Sequence, residues 1–342
     1  MNITFIIGNG FDLNLGMKTQ YSDMYKGYIE TPSENKVIEI FKGSLSQRKP
    51  YDRWTDFEMG MADYAKKLSS EKSLIECVRD FKKHLVQHLR NEQEKVKKLF
   101  TTVDNVRPVV NELDNSLKYF YNSLSPNVVN EIKGVIGDQY VNYNFLTFNY
   151  TNTLEQAIRV RDRYLKTTSQ DPVHIHGALD KDVVLGVDNL EQLKGLYYSL
   201  TNRGKRNFVK TLFNEQYDKE RVTKARNIIN ESSIICTYGW AMGDSDKVWI
   251  DLLREWIITN PNHHLIHYRY STKMYHRYNF DEIMDAEDDA KESVIQKLNI
   301  TDESILDQIH IPVGHNIFNF GKINAEEKEQ SKANNPKEEV LV

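Results

Sequence analysis

The chain has 342 residues, 39% hydrophobic and 11% aromatic, with 45 Lys and Arg against 49 Asp and Glu, for a formal net charge of -4. That apolar share can bury a core, which excludes a wholly disordered chain, and the balanced charge supplies no global positive field to gather nucleic acid. Cys77 and Cys236 are the two cysteines, too few for a disulfide framework or a cysteine-rich zinc site, and both are expected as reduced core residues.

Residues 3–7 form a short apolar run that ends at Gly8, the pattern of a strand buried on both faces of a parallel sheet. The run has no basic leader, and none in the chain reaches the roughly 18–20 apolar residues of a membrane span. A cytoplasmic protein without a membrane partner is expected. A turn and a helix are predicted over residues 13–28, with Thr19 or Ser22 as the cap.

From residue 31 to 138 the strand signals disappear. Leu74, Cys77, Val78, Phe81, Leu85 and Leu89 recur at helical spacing within residues 73–100, which predicts a long amphipathic helix. Pro108 reads as a break before a further helix over 109–124. Strand patterns return at 143–148, 173–176, 183–187, 233–238, 264–270 and 309–313, with helical runs at 152–166, 190–229 and 246–259. Such alternation implies right-handed crossovers and a mainly parallel sheet. The expected fold is a Rossmann-like three-layer α/β sandwich built from 1–30 and 139–320, with 31–138 as a helical insertion and 321–342 as a flexible tail.

Compact polar clusters follow several of these strands, and in an open α/β sheet such turns converge on one edge. Gly8 and Gly10 allow either a sharp structural turn or a close approach to phosphate, with Asn9, Phe11 and Asp12 in the same loop. Gly16 stands where the usual dinucleotide fingerprint does not place its third glycine. Asp12 would repel a pyrophosphate, so it either caps a helix or faces the ribose or nicotinamide end of a ligand. Thr147, Asn149 and Thr151 alternate with Phe148 and Tyr150 and share one face of an extended backbone. Asn149 suits either a turn or the orientation of water or a ribose hydroxyl.

His174 and His176 share a face if their strand continues. No further Cys or spaced His completes a metal site with Asp244 or Asp246, so no metal is expected. His176, placed before Gly177, suits a general base at a strand end. Gly239 and Gly243 would leave room for a ribose or base, and Asp244 or Ser245 would cap the next helix. The acids and aromatics around Trp54, Asp56 and Glu58 read most simply as a helix start.

In order and spacing, Gly8-Asn9-Gly10-Phe11-Asp12-Leu13 with Gly16, Thr19, Tyr21 and Asp23, followed by Trp54 and Asp56-Phe57-Glu58, resembles the AbiH family of phage abortive-infection proteins, from residue 1 to about 320. Within it, Asn149-Tyr150, His176-Gly177 and residues 238–246 resemble the NAD-binding core of SIR2-like proteins, which include sirtuin deacylases and NAD-consuming enzymes of phage defence. The resemblance implies a SIR2-like sandwich that holds NAD over Gly8 and Gly10, with Asn149 beside the nicotinamide ribose and His176 as the base. The cofactor-binding set would comprise Gly8, Asn9, Gly10, Phe11, Thr19, Thr147, Tyr150, Gly177, Gly239, Trp240, Gly243, Asp244 and Asp246, and the catalytic set Asn149, His176 and Asp12. The chain departs from the sirtuin pattern at Asp12, where Ser is usual, at Phe148, where Gln is usual, and at Thr151, where Asp is usual.

Protein deacylation is not expected, because two distant cysteines cannot build the sirtuin four-cysteine zinc module. Hydrolysis of the nicotinamide glycosidic bond of NAD to ADP-ribose needs less machinery, since nicotinamide leaves as a neutral base. Two rival readings stand beside it. One is a non-catalytic sensor of NAD, ADP-ribose or a related nucleotide that switches an oligomer or a partner. The other is a metal-dependent nuclease using Asp56, Glu58, Asp244 and Asp246. An NAD-consuming protein would need gating by a phage trigger, and the aromatic-rich insertion with Tyr197 and Tyr198 offers contact surfaces for a homo-oligomer.

Overall fold

The computed structural model describes residues 1–46, 70–193, 200–271 and 280–320, together with 58, 60, 61 and 64. Trp54, Asp56, Tyr197, Tyr198 and the 321–342 tail lie outside the described residues.

Six strands, β1 (Asn2–Ile7), β2 (Asn142–Thr147), β3 (Val173–His174), β4 (Ile234–Tyr238), β5 (His264–Tyr268) and β6 (Ile309–His310), form one sheet in the order β3-β2-β1-β4-β5-β6. Every neighbouring pair is parallel. This is the doubly wound Rossmann order, whose strand direction of growth reverses between β1 and β4. In register, Ile7 at the end of β1 lies opposite Thr147 on one side and Tyr238 on the other.

The helices among the described residues include α1 (Gly10–Asn14), α2 (Tyr21–Glu30), α3 (Lys36–Ser46), α4 (Glu71–Thr101), α5 (Val103–Lys118), α6 (Pro126–Ile136), α7 (Thr153–Leu165), α8 (Asn202–Phe208), α9 (Lys210–Tyr217), α10 (Lys219–Asn230), α11 (Lys247–Ile258) and α12 (Phe280–Leu298). None is long and apolar enough to cross a membrane.

Alternation along β1 sends Ile3, Phe5 and Ile7 to one face and Ile6 to the other. The first face packs on Val109, Val110 and Leu113 of α5, Leu154 and Ile158 of α7, and Phe318 and Phe320 near the end of the described chain. The opposite face meets Ile229 of α10, Leu253 and Trp256 of α11, and Val294 and Leu298 of α12. Helices therefore cover both sheet faces, as an all-parallel sheet with unbroken apolar strands requires. A third cluster joins α2, α3 and α4 to Leu179, Val183, Leu185, Phe208 and Val209. The helices inserted between β1 and β2 thus lie against the segment that follows β3. Cys77 and Cys236 are buried free thiols.

Three sequence expectations change. Residues 183–187 are no strand; a single bridge joins Val187 to Val209, and the run is apolar because it packs on the inserted helices. The expected helix over 190–229 is divided into a short 3-10 turn at Leu190–Leu193 and the helices α8, α9 and α10. Pro108 does not break a helix but lies inside α5. There it removes only the bond to the carbonyl of Asp104, an exposed residue of the first turn.

Candidate active site

The carboxyl ends of β1 and β4 meet backbone to backbone. The Gly8 amide donates to the Tyr238 carbonyl at 2.9 Å, and the Gly10 amide to the Gly239 carbonyl at 3.0 Å. A Cβ on Gly8 would stand 2.5 Å from the Gly239 oxygen, and one on Gly10 2.5 Å from the Gly239 Cα. Gly239 itself sits at φ 68°, a region that L side chains rarely adopt. The glycines are thus explained by the close approach of two loops at the switch point. Asn9 and Thr19 clasp the loop, with Thr19 Oγ1 donating to Asn9 Oδ1 at 2.7 Å and Asn9 Nδ2 to the Thr19 carbonyl at 3.1 Å. Phe11 points away into the core, edge-on to Phe318 and Phe320.

Beyond β2, the Thr147 hydroxyl accepts from the Asn149 amide at 3.1 Å and turns the chain. His174 Nδ1 lies 2.8 Å from the Asn149 carbonyl and braces it from β3. Asp12 joins this loop to α1: its two carboxylate oxygens accept from Thr151 and Thr153 hydroxyls, each at 2.6 Å. Burial pushes the Asp12 carboxyl up to about 6, against the pull of those hydroxyls. The side-chain Nδ2 of buried Asn149 makes no hydrogen bond among the described residues, although it lies near enough to the Asp12 carboxylate to favour its charged form. Such a buried, unmatched donor costs on the order of 1–3 kcal/mol unless a ligand or water engages it.

His176 does not continue the strand with His174. It lies in a turn closed by Gly177 at φ 81°, where a Cβ would overlap the Asp182 carbonyl. Its Nε2 is 3.4 Å from Asp246 Oδ1, whereas His174 Nε2 is 3.4 Å from Glu155. Burial, then Lys210 and Arg221, hold the His176 imidazole well below its ordinary pKa, so it is uncharged at neutral pH and able to accept a proton.

Sequence reasoning offered Asp244 or Ser245 as the cap of α11, but Asp246 stands at the N-cap position without a side-chain bond to the helix, and Asp188 supplies the cap: its Oδ2 accepts from the Val248 amide at 2.9 Å. Asp244 is exposed and contributes its backbone carbonyl to Gln192 at 3.0 Å. Asp246 is left facing inward, with Oδ2 accepting from Trp240 Nε1 at 3.0 Å and Oδ1 unbonded. Phe148 stacks on Trp240 at 4.6 Å and meets the His176 ring edge-on at 5.2 Å.

Two further charged residues complete the floor: Glu58, which the sequence offered only as a metal ligand of a nuclease, and Lys210, which it did not single out. Lys210, at the start of α9, donates to Glu58 Oε2 at 2.8 Å, and both side chains are 4% exposed. Nothing in sequence spacing signals this pair, which spans 152 positions.

Most of these groups border one cleft of about 770 Å³, within the roughly 300–1,000 Å³ usual for small-molecule sites. Of the residues named from the sequence, Gly8, Asn9, Gly10, Asp12, Thr19, Asn149, Tyr150, His176, Gly239, Trp240, Gly243 and Asp246 line it. Phe11, Thr147, Gly177 and Asp244 do not; the first three shape it from behind. Arg269, Tyr270 and His315 lie at the far end of the cleft from β5 onward, and Tyr270 is 82% exposed. Among the described residues no three His, Cys, Asp or Glu side chains are grouped to hold a metal ion.

An all-parallel sheet in this order, with a polar cleft at its switch point, defines an α/β protein of Rossmann-like topology. The family model described as bacteriophage abortive infection AbiH matches residues 4–268, and the chain belongs to that family. Membership assigns it a role in phage abortive infection. No curated protein matches the chain.

Proposed function

We propose that the cleft binds NAD and hydrolyses its nicotinamide–ribose bond, so that abortive infection proceeds through loss of NAD. The observation that carries this reading is the pairing of an uncharged His176 with an unmatched Asn149 Nδ2 at the switch-point end of one cleft. Water adds to the ribosyl carbon, the glycosidic carbon–nitrogen bond breaks, and its electron pair leaves with neutral nicotinamide. The proton lost from water passes through a ribose hydroxyl to His176 and then to solvent. Asn149 Nδ2 orients the water or the ribose. Asp12, whose oxygens are committed to Thr151 and Thr153, contributes negative charge behind the developing ribosyl cation and holds the Asn149 loop in place.

Nicotinamide release from NAD by the purified protein tests this, with Asn149→Ala and His176→Ala each expected to lower the rate about a hundredfold or more. Equal rates in parent and variants would overturn the assignment. Phe148 supports a second reading. Its ring fills space beside His176 by stacking on Trp240, which suits a nucleotide sensor; tight calorimetric binding of NAD or ADP-ribose without turnover would identify that case. The nuclease reading is weaker, because Glu58 and Asp246 both face the Lys210 ammonium, where a divalent cation would have to sit.

A further inference from the structure

The charged floor of the cleft holds a chain of contacts that the hydrolysis above does not use. Its members come from four separate stretches: Glu58, His176 beyond β3, Lys210 on α9 and Asp246 before α11. Lys210 Nζ donates to Glu58 Oε2 at 2.8 Å and to the Ser245 carbonyl at 3.3 Å, and lies 3.8 Å from Asp246 Oδ1. The remaining Glu58 oxygen accepts from the Gly186 amide at 3.2 Å. With Asp246 Oδ2 taken by Trp240, the open position on this chain is Asp246 Oδ1, which faces His176 Nε2 at 3.4 Å.

The neighbouring groups are already committed. Asp188 caps α11, the Tyr150 hydroxyl donates to the Val184 carbonyl at 3.0 Å, and Arg221 pairs with Asp218 at 2.7 Å.

We propose that Glu58 and Lys210 are positioning residues of this site: they hold the Asp246 carboxylate against His176 Nε2, so that the imidazole carries its proton there and offers Nδ1 as the base. The kinetic part of this rests on the NAD-hydrolysis reading. Electrostatics explain why the lysine is needed. Burial drives the carboxyls of Glu58 and Asp246 upward and Lys210 opposes it in both, while Glu58, Asp246 and Asp188 overcome burial to keep the ammonium charged. Without Lys210, two carboxyls would share a dry site with no cation, and one would take a proton. A protonated Asp246 donates rather than accepts, which would reverse the His176 tautomer and occupy its lone pair.

The test is nuclear magnetic resonance of the full chain labelled with ¹³C and ¹⁵N at histidine, with the His176 signal identified by its loss in His176→Gln. The parent is expected to show a neutral Nε2–H tautomer from pH 6 to 8. In Asp246→Asn, and in Glu58→Gln/Lys210→Met, which removes both charges of the pair together, the signal should move toward the Nδ1–H form. Nicotinamide release by the double variant should fall about a hundredfold, the low end for loss of a general base, and its acid limb should move to higher pH. An Nδ1–H tautomer in the parent, or an unchanged tautomer in variants whose circular dichroism matches the parent, would overturn the proposal. A parent that releases no nicotinamide would count against hydrolysis alone, since the tautomer is read without turnover.

Discussion

Gly10 and Gly239 touch through their backbones. The Gly10 amide donates to the Gly239 carbonyl at 3.0 Å, and a methyl group added to Gly239 would lie 2.6 Å from the Gly10 Cα. The loops after the central strands therefore have one permitted spacing, set where neither residue has a side chain. Asn149, Asp246 and Trp240 hang from or beside these loops, so the spacing governs the cleft.

Gly239→Ala should therefore destabilise the fold by roughly 1–3 kcal/mol from overpacking, with a further cost of about 1 kcal/mol for a side chain at positive φ. Urea denaturation of parent and variant measures it. A midpoint unchanged from the parent would contradict the contact.

Asp12 gives a pH-dependent prediction. Its carboxyl is raised from 3.8 unfolded to about 6 folded, so between those values the folded state binds more protons than the unfolded state and stability falls as pH rises. Asp12→Asn removes this penalty. The stability difference between variant and parent should move in the variant's favour between pH 4 and pH 7, by on the order of 3 kcal/mol, as followed by denaturant melts across that range.

Lys210→Ala leaves Glu58 and Asp246 buried without a cation, and breaking a buried ion pair on one side costs roughly 3–5 kcal/mol. The double substitution Glu58→Gln/Lys210→Met should cost less than Lys210→Ala, because it leaves one buried carboxyl, Asp246, without a cation rather than two. A thermal-melt series that ranked the two the other way would show that the pair is not the source of the loss.

The imidazoles of His264 and His310 stack at 5.5 Å, with His264 Nδ1 and His310 Nε2 3.2 Å apart. Burial, then His264 and Lys291, push His310 down to about 3. A base whose folded pKa is depressed contributes stability above its unfolded pKa and loses it on acidification, here from about 6.5 toward 3. His310→Gln should flatten the fall of stability over pH 6.5 to 4 by up to about 1.4 kcal/mol per pH unit, measured by chemical denaturation at stepped pH.

The central sheet was legible because β1, β2 and β4 are apolar runs cut off by glycine or asparagine, and alternating helical runs imply parallel pairing. Residues 183–187 carry the same local pattern for another reason: Val183, Leu185 and Val187 fill a cluster with the inserted helices, and an apolar run does not say what it packs against. Asn149, His176 and Asp246 could be named because each follows a strand that the pattern finds. Lys210 and its pairing with Glu58 could not, since a contact across 152 positions obeys no spacing rule. Asp188 escaped for a related reason: a helix cap from a distant segment leaves no local signature, so the nearer Asp244 and Ser245 looked like the candidates.

The strand that comes first among the six occupies the middle of the sheet. β1 pairs with β2 at Asn142–Thr147 and with β4 at Ile234–Tyr238, and Phe5 and Phe11 pack against Phe318. During translation β1 must wait for more than two hundred successors before both its edges are paired, and for Phe318 before that face is covered. The cleft, which needs the loops after β1, β2 and β4 together, is therefore assembled last. A chain that stops before β4 lacks the Tyr238–Gly239 turn against which Gly8 and Gly10 pack, and so carries no finished cleft.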